Sequence, residues 1–341
     1  MIFLSKGIDR NARKNVSYNF RGDEMLDLQY LLWLQELRLS AGSTLTDFMS
    51  FFTSFGMKYS GIIMLFLFWS FHKEAGMLTL FSSSFSTVIN GLAKSIVCAY
   101  RPWVRDPQIV PPAEVKAGAT GYSFPSGHTA KATATFSMWA WLTRKRLYFA
   151  IPLLLLTLVI GFTRNFLGVH TPQDVLCGFV IGIISIVIAC WLFQWEKQKS
   201  GRNWIILLVS AVAMAGYYLF ISLKSYPMDY VDGKLLVDPS KMAVDAWKDG
   251  GEFLGVLFGW CLEKQFVNFK IPTCWFCKIA RFIPGAIILQ FGAKPLREFC
   301  VRLTEPHIGA FSAYFLLFVF LVFFYPLIFT AIEKRFAKKC S

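Results

Sequence analysis

The stretch Phe124-Pro125-Ser126-Gly127-His128-Thr129 is the point around which the rest of this sequence is organised. Taken alone it predicts only the start of a helix, because a proline ends the preceding loop and Ser126 is a favourable N-cap residue. Two other strings give it a further meaning. One contains Lys94 and Arg101-Pro102, and the other contains Arg164, His170 and Asp174.

The composition predicts a membrane protein. Of the 341 residues, 55% are hydrophobic and only 16% are charged, whereas a soluble domain has about 25% charged residues. The apolar residues come in long blocks, which is typical of several transmembrane helices. The net charge of +14 lies mostly beside these blocks. There it favours contact with membrane lipids and argues against nucleic acid as a partner.

The apolar blocks predict an all-α integral membrane protein with about nine transmembrane helices. Residues 26–55 carry leucines at helical spacing among charges, which indicates amphipathic helices at the membrane interface. The stripe Gly251–Gly259 predicts close packing of one span on a neighbour. The predicted spans are residues 57–72, 75–97, 127–143, 147–166, 171–194, 203–223, 250–268, 279–296 and 309–332.

The spans divide the chain into three predicted parts. Residues 1–56 form an N-terminal surface and interfacial amphipathic segment, and residues 57–223 form the catalytic membrane core. Residues 224–341 form an extracytoplasmic loop and a three-helix membrane extension.

The same spans bring the three strings to one side of the membrane. Lys94 and Arg101 lie where the second span ends, and residues 126–128 lie where the third begins. After a crossing and a return, Arg164 ends the fourth span and residues 170–174 enter the fifth. We therefore expect these polar residues to converge on one face.

The residue types in the strings suit a phosphate group. Lys94, Arg101 and Arg164 supply cationic donors, and arginine adds bidentate geometry. Ser126 and Gly127 start a helix, whose N-terminus favours an anion, and the glycine lets a backbone come close.

Two histidines and a carboxylate add catalytic groups. His170 with Asp174, together with His128, has the composition needed for nucleophilic catalysis with a separate general acid. Lys131 follows His128 by three residues on the same helical face. We expect it to line the pocket and to contact the phosphate or the substrate's headgroup.

Each residue alone also has a simpler interpretation. Lys94, Arg101 and Lys131 could be interfacial cations that extend towards the headgroups. Asp174 could cap its own helix, and His170 could be an ordinary interfacial histidine. Only the joint pattern favours a site.

That joint pattern resembles the type-2 phosphatidic acid phosphatase superfamily, the lipid phosphate phosphatases, which includes glucose-6-phosphatases and sphingosine-1-phosphate phosphatases. The family's motifs are Lys-x6-Arg-Pro, Pro-Ser-Gly-His and Ser-Arg-x5-His-x3-Asp. Their spacings agree with residues 94–102, 125–128 and 163–174. Thr163 is the one departure, and it keeps the hydroxyl of the serine that the pattern has.

The resemblance implies a six-helix phosphatase-type core and a role for each residue. His170 would be the nucleophile that forms a phosphohistidine, Asp174 would orient it, and His128 would protonate the leaving alkoxide. No metal and no other cofactor is implied. The phosphoryl oxygens would be held by Lys94, Arg101, Ser126, Gly127 and Arg164.

The resemblance therefore implies a metal-independent phosphatase for a phosphomonoester of a lipid or a sugar. The nine-span layout is similar to the glucose-6-phosphatase and sphingosine-1-phosphate phosphatase branches. The alternative is a transporter that binds a phosphorylated solute in the same basic pocket without hydrolysis. Vanadate-dependent haloperoxidases share the pocket but are soluble. The sequence leaves the substrate and the oligomeric state open.

The basic loops predict the orientation in the membrane. Short basic segments lie on the face opposite the three strings, at residues 144–146, 197–202, 264–281 and 334–339. Such segments mark the cytoplasmic side. We expect a multi-pass protein of the cell (inner) membrane or the endoplasmic reticulum, with its active site on the extracytoplasmic face.

Overall fold

A computed structural model describes residues 22–231 and 233–339. The predicted surface location of residues 1–21 lies outside these described residues. The helices are α1 Gly22–Ser40, α2 Ser43–Lys58, α3 Ser60–Ser70, α4 Lys73–Val97, α5 Pro102–Arg105, α6 Ala113–Ala117, α7 Gly127–Ala132, α8 Met138–Leu142, α9 Leu147–Phe166, α10 Pro172–Lys197, α11 Arg202–Leu223, α12 Pro239–Leu262, α13 Trp275–Leu303, α14 Pro306–Val319 and α15 Tyr325–Lys339.

Short π-helical and strand segments complete the chain. The π-helical turn Thr133–Ser137 joins α7 to α8, Glu263–Val267 extends α12, and Phe320–Phe324 joins α14 to α15. The strands β1, Tyr230–Val231, and β2, Lys234–Leu235, form an antiparallel hairpin. The predicted all-α membrane architecture is confirmed.

Helices occupy all nine predicted spans, but not all nine can be counted as crossings. Five of the described helices are long and apolar enough to cross a membrane, namely α9, α10, α11, α13 and the run Pro306–Arg335. A bent pair in the N-terminal region raises this number to six if it forms one span. The protein is therefore a multi-pass membrane protein, and the count of nine stays a prediction.

The structure differs from the prediction at the first span. We expected one helix over residues 57–72, but α2 ends at Lys58 and α3 begins at Ser60, with a bend of 42° between them. The 11 residues of α3 cover about 16 Å, which is too short for a hydrocarbon core of about 30 Å. The boundary that we placed after residue 56 therefore falls inside α2.

Two glycines of α10 bring it very close to α7. A Cβ atom on Gly178 would lie 2.7 Å from the carbonyl oxygen of Ser126, and one on Gly182 would lie 2.4 Å from Cβ of Thr133. The Ser126 N–H also donates to the carbonyl oxygen of Asp174 at 2.9 Å. The N-termini of α7 and α10 are thereby held side by side.

The C-terminal extension packs on the core through α12. A Cβ atom on Gly251 would lie 2.3 Å from the carbonyl oxygen of Phe311, and one on Gly255 would lie 2.7 Å from that of Phe315. Both carbonyls belong to α14, so the close packing predicted from the glycine stripe is confirmed. One apolar cluster joins core and extension, and it includes Phe68, Phe81, Phe193, Trp260 and Leu321.

The bundle has two polar ends. The site end contains the C-termini of α4 and α9 and the N-termini of α7, α10 and α12. The opposite end contains the N-termini of α4 and α13 and the C-termini of α10 and α12. At the opposite end, ion pairs join Lys73 to Glu263 at 2.7 Å, Lys197 to Glu74 at 2.5 Å, Arg281 to Glu333 at 2.6 Å, and Lys264 to Glu196.

Candidate active site

The structure brings the three sequence strings together at the site end. Nη1 of Arg101 lies 2.8 Å from Nε2 of His170, which joins the first string to the third. Nζ of Lys94 donates to the carbonyl oxygens of Tyr122 at 2.5 Å and Ser123 at 3.2 Å, on the loop that leads to the second string. The residues that we predicted as a site are therefore neighbours.

His170 lies in the loop between α9 and α10, and its imidazole is held at both nitrogens. Arg101 has only donors, so Nε2 of His170 accepts its hydrogen bond. Nδ1 of His170 lies 3.1 Å from Oδ2 of Asp174. The hydrogen bonds assign the proton to Nδ1 and the lone pair to Nε2, on the side of the cations.

The carboxylate of Asp174 is held by two donors besides His170. The Thr171 N–H donates to its Oδ2 at 2.9 Å, in a capping box that starts α10. The hydroxyl of Ser123 donates to the same oxygen at 2.5 Å and lies 3.5 Å from Nδ1 of His170. Asp174 therefore both caps its helix and orients the imidazole, so the two interpretations that the sequence left open are compatible.

Burial and positive neighbours set the charge of this imidazole. Burial, followed by the charges of Arg101, Lys94 and Arg164, holds the pKa of His170 well below its usual range. The ring is therefore neutral at neutral pH, with an unprotonated Nε2. Burial also lowers the pKa of Arg101 to about 10, so that guanidinium stays charged at neutral pH.

The three cations of the site pair with no carboxylate among the described residues. Arg101 donates to the carbonyl oxygens of Gly121 and Val169 at 2.9 and 3.0 Å. Nη1 of Arg164 donates to Oγ1 of Thr53 at 2.8 Å, while its buried Nε has no partner in the described part of the chain. Buried cations without acids, one with an unused donor, fit an anionic ligand.

The start of α7 lies against this cluster. Oγ of Ser126 accepts from the Thr129 N–H at 3.4 Å, as the N-cap prediction requires. A Cβ atom on Gly127 would lie 3.1 Å from Oδ1 of Asn90, so a larger residue would press on that amide. Asn90 in turn donates to the carbonyl oxygen of Pro125 at 3.2 Å and fixes the turn before the helix.

Some supporting residues were missed in the sequence. Arg38 of α1 donates to the carbonyl oxygens of Phe166 at 3.3 Å and Val110 at 2.5 Å, and thereby holds the end of α9 just before the His170 loop. Asn165 donates to the carbonyl oxygen of His170 at 2.9 Å. An arginine on an amphipathic helix gives no sequence signal for such a distant contact.

A cavity of about 400 Å³ opens beside the cluster. His128 and Lys131 line it, on the same wall of α7, together with Lys94 and Arg101. The far wall is formed by α12 and α14 of the extension, which sequence reasoning did not connect with the site. That wall contributes Met242, Asp245, Ala246, Lys248, Asp249, Glu252 and Tyr314.

The arrangement has the parts for phosphoryl transfer. A neutral imidazole with a directed lone pair stands beside three cations, and a second histidine lines the adjoining cavity. Cations stabilise the charge of a transferring phosphoryl group, and an oriented imidazole can attack it.

Family comparisons agree with this geometry. Residues 75–199 match the model described as "PAP2 superfamily". Residues 247–339 match the model described as "PAP2 superfamily phosphatase, transmembrane extension". The first match contains every residue of the three strings.

Curated relatives match part of the chain. Phosphatidylglycerophosphatase B of Escherichia coli (strain K12) is 39% identical over 79 residues, which is 22% of this chain and 30% of the relative. Undecaprenyl-diphosphatase of Sulfolobus acidocaldarius is 27% identical over 144 residues, which is 41% of this chain and 66% of the relative. The chain thus spans less than two thirds of each. No solved structure matches it.

Proposed function

Because this chain belongs to the PAP2 superfamily and carries that superfamily's transmembrane extension, we propose that it is a membrane-embedded phosphatase that forms a phosphohistidine on His170. One observation carries the proposal. A buried imidazole, oriented by Asp174, faces cations that have no carboxylate partner among the described residues. A phosphomonoester supplies the negative charge that this cluster lacks.

The first step transfers the phosphoryl group to the protein. The substrate's phosphoryl oxygens bind Lys94, Arg101 and Arg164, and the hydrogen bond of Arg101 passes from Nε2 of His170 to one of them. The Nε2 lone pair then forms a bond to phosphorus while the bond to the leaving oxygen breaks. Protonated His128 gives its proton to that leaving alkoxide.

The second step releases phosphate. Neutral His128 takes a proton from water, whose oxygen bonds to phosphorus while the phosphorus–Nε2 bond breaks. The Nε2 electron pair returns to His170, and His128 ends protonated, as it began. Asp174 stabilises the positive ring of the phosphohistidine in between, because its carboxylate accepts from Nδ1. Ser126 and Gly127 complete the group that holds the phosphoryl oxygens, and Lys131 contacts the phosphate or the headgroup.

A phosphate-release assay tests the proposal. The purified protein in detergent is expected to release phosphate from lipid phosphomonoesters, with the same rate in the presence of a chelator. His170→Ala should abolish release. His307→Ala is the matched control, because His307 is also at the site end but does not line the cavity. Tight binding of a phosphorylated solute without any release would instead favour the transporter.

The substrate class comes from the relatives' names. One is named for phosphatidylglycerophosphate and another for undecaprenyl diphosphate, which favours a phosphorylated lipid over a sugar phosphate here. The likeness to the glucose-6-phosphatase and sphingosine-1-phosphate phosphatase branches rests on the nine predicted spans, and five or six of the described helices are long and apolar enough to cross a membrane. A substrate panel of lipid phosphates, a polyprenyl diphosphate and sugar phosphates distinguishes these classes.

The basic loops at the opposite end support an extracytoplasmic active site. Cysteines introduced at exposed Glu114 of the site end and exposed Lys145 of the opposite end test this. In intact cells, an impermeant thiol reagent should label the first and not the second. The reverse pattern would overturn the orientation.

A further inference from the structure

The extension helix α12 contributes a polar wall to the cavity beside the candidate phosphate cluster. Asp245, Asp249 and Glu252 are spaced by four and three residues, so they lie on one face of the helix. All three line the cavity of about 400 Å³ that Lys94, Arg101 and His128 also line. The cavity is thus cationic towards the core and carboxylate-rich towards the extension.

Part of this carboxylate wall is already neutralised. Nζ of Lys248 lies 3.0 Å from Asp245 and 3.5 Å from Asp249, and Lys131 interacts electrostatically with Asp249. Glu252 forms no hydrogen bond or ion pair with any residue in the described ranges. The wall therefore keeps an acceptor for hydrogen bonds that no described side chain uses.

A buried hydroxyl in the same cavity is also unused. Tyr217 of α11 is only 6% exposed and lines the cavity. Its hydroxyl lies beside Ser95, but no hydrogen bond of regular geometry joins it to a described residue. A Cβ atom on Gly91 would lie 3.0 Å from that hydroxyl. This places the hydroxyl one helical turn from Lys94 on α4. Buried polar groups are normally paired, so this one points to a ligand.

These groups do not suit the hydrocarbon part of a lipid. Carboxylates repel phosphoryl oxygens and gain nothing from an apolar chain, whereas they accept hydrogen bonds from hydroxyl or ammonium groups. A phosphate on a bare hydrocarbon alcohol would leave Glu252 and Tyr217 without partners. A phosphate on a polar headgroup would satisfy both ends of the cavity.

We propose that the α12 wall, with Tyr217, selects phosphomonoesters whose phosphate is carried on a headgroup with hydrogen-bond donors, namely hydroxyl or ammonium groups. This proposal rests on the proposed function. Glu252 is the principal acceptor of the donor group, and Tyr217 pairs with a substrate hydroxyl near the phosphate. The extension thus determines specificity, while the core carries out the chemistry.

The test uses three synthetic phosphomonoesters with the same alkyl chain in the same detergent. One carries the phosphate directly on the chain, one on a hydroxylated headgroup and one on an aminated headgroup. We expect kcat/KM for one or both polar-headgroup substrates to exceed that of the plain substrate by at least about tenfold. This is the ratio that the free energy of one hydrogen bond to a charged group gives. Equal kcat/KM for all three would overturn the proposal.

Variants separate the two donor chemistries. Glu252→Leu should remove the preference, and Glu252→Gln should remove mainly a preference for the ammonium substrate, because an amide still accepts from a hydroxyl. Tyr217→Phe should lower kcat/KM only for the substrate with the hydroxylated headgroup. The matched control is Tyr218→Phe, which removes a neighbouring buried hydroxyl that also lacks a described partner and does not line this cavity.

The outcomes also distinguish the proposal on headgroup specificity from the proposal that the protein is a phosphatase. Release from the plain phosphate tests the phosphatase itself, and the ratios between substrates test the α12 wall. Ratios that stay unchanged in the Glu252 and Tyr217 variants would overturn the wall's role and leave the phosphatase standing. No release from any of the three would overturn both.

Discussion

The two ends of the bundle differ in whether a buried cation is paired with a carboxylate. At the opposite end, Arg281 is buried and its guanidinium donates to both carboxylate oxygens of Glu333. At the site end, Arg101 and Arg164 are equally buried but donate only to carbonyl oxygens, a hydroxyl and an imidazole. Desolvated charge needs a partner. The opposite end supplies that partner from the chain, and we propose that the substrate supplies it at the site end.

Asp174 is the carboxylate that contacts the imidazole of His170, and its removal should have the largest effect. Asp174→Asn leaves the helix cap largely in place but loses the acceptor that orients Nδ1 of His170. We expect kcat to fall about 10⁴-fold, as for the corresponding change in a serine protease triad. Steady-state kinetics would check this, with Glu74→Gln at the opposite end as the control. A loss below tenfold would break the distinction between the ends.

The histidines sharpen the comparison. His72 at the opposite end accepts from the Ala75 N–H at 3.2 Å and caps α4, so His72→Ala should lower stability without changing kcat. His128→Ala should lower kcat about 10²–10⁴-fold with an alkyl phosphate. The loss should be much smaller with nitrophenyl phosphate, whose leaving group needs little protonation. Equal losses with both substrates would rule out His128 as the acid.

Arginine-to-lysine changes should lower catalysis at the site end and stability at the opposite end. Arg164→Lys and Arg101→Lys should each lower kcat/KM roughly 10–100-fold, since lysine lacks the bidentate fork. Arg281→Lys should leave kcat/KM almost unchanged and reduce the free energy of unfolding by about 1–3 kcal/mol. Kinetics and thermal unfolding on the same samples measure both. Similar kinetic losses at the two ends would contradict the comparison.

The pH profile should show the smallest effect. The depressed pKa of His170 predicts that the acid limb of kcat/KM, where His170 becomes protonated, lies below pH 6.5, the ordinary histidine value. Lys94→Gln removes a positive neighbour, which makes protonation easier, so its acid limb should move to higher pH. Lys197→Gln, at the opposite end, should not move it. An acid limb above 6.5 in the unaltered protein would refute the assignment.

Much of the fold and of the candidate site could be predicted from the sequence. The apolar blocks located the helices, and the ends of those helices placed Lys94, Ser126 and Arg164 at one face. The position of the bend between α2 and α3 was not predicted, because no proline stands near Tyr59 to mark it. The cap of α12 at Asp238-Pro239 was a readable helix start, but the charges that follow it resembled a loop.

Long-range contacts explain what the sequence could not supply. Ser123 lies in a loop with no periodicity, and its contacts with Asp174, Lys94 and His170 are visible only in the structure. Arg38 lies 128 residues from Phe166, the carbonyl of which it binds. The contribution of α12 to the cavity depends on how the extension packs through its glycines. Such partners are set by tertiary packing and not by local sequence.

The transfer of phosphate to His170 is the central claim, and rapid quenching tests it most directly. The protein is mixed with a substrate labelled in its phosphoryl group, quenched within one turnover, and digested to locate the label. We expect label on His170, stable in base and lost in acid, and none in His170→Ala. Label on another residue, or turnover without label in a His170→Ala variant that stays active, would contradict the account.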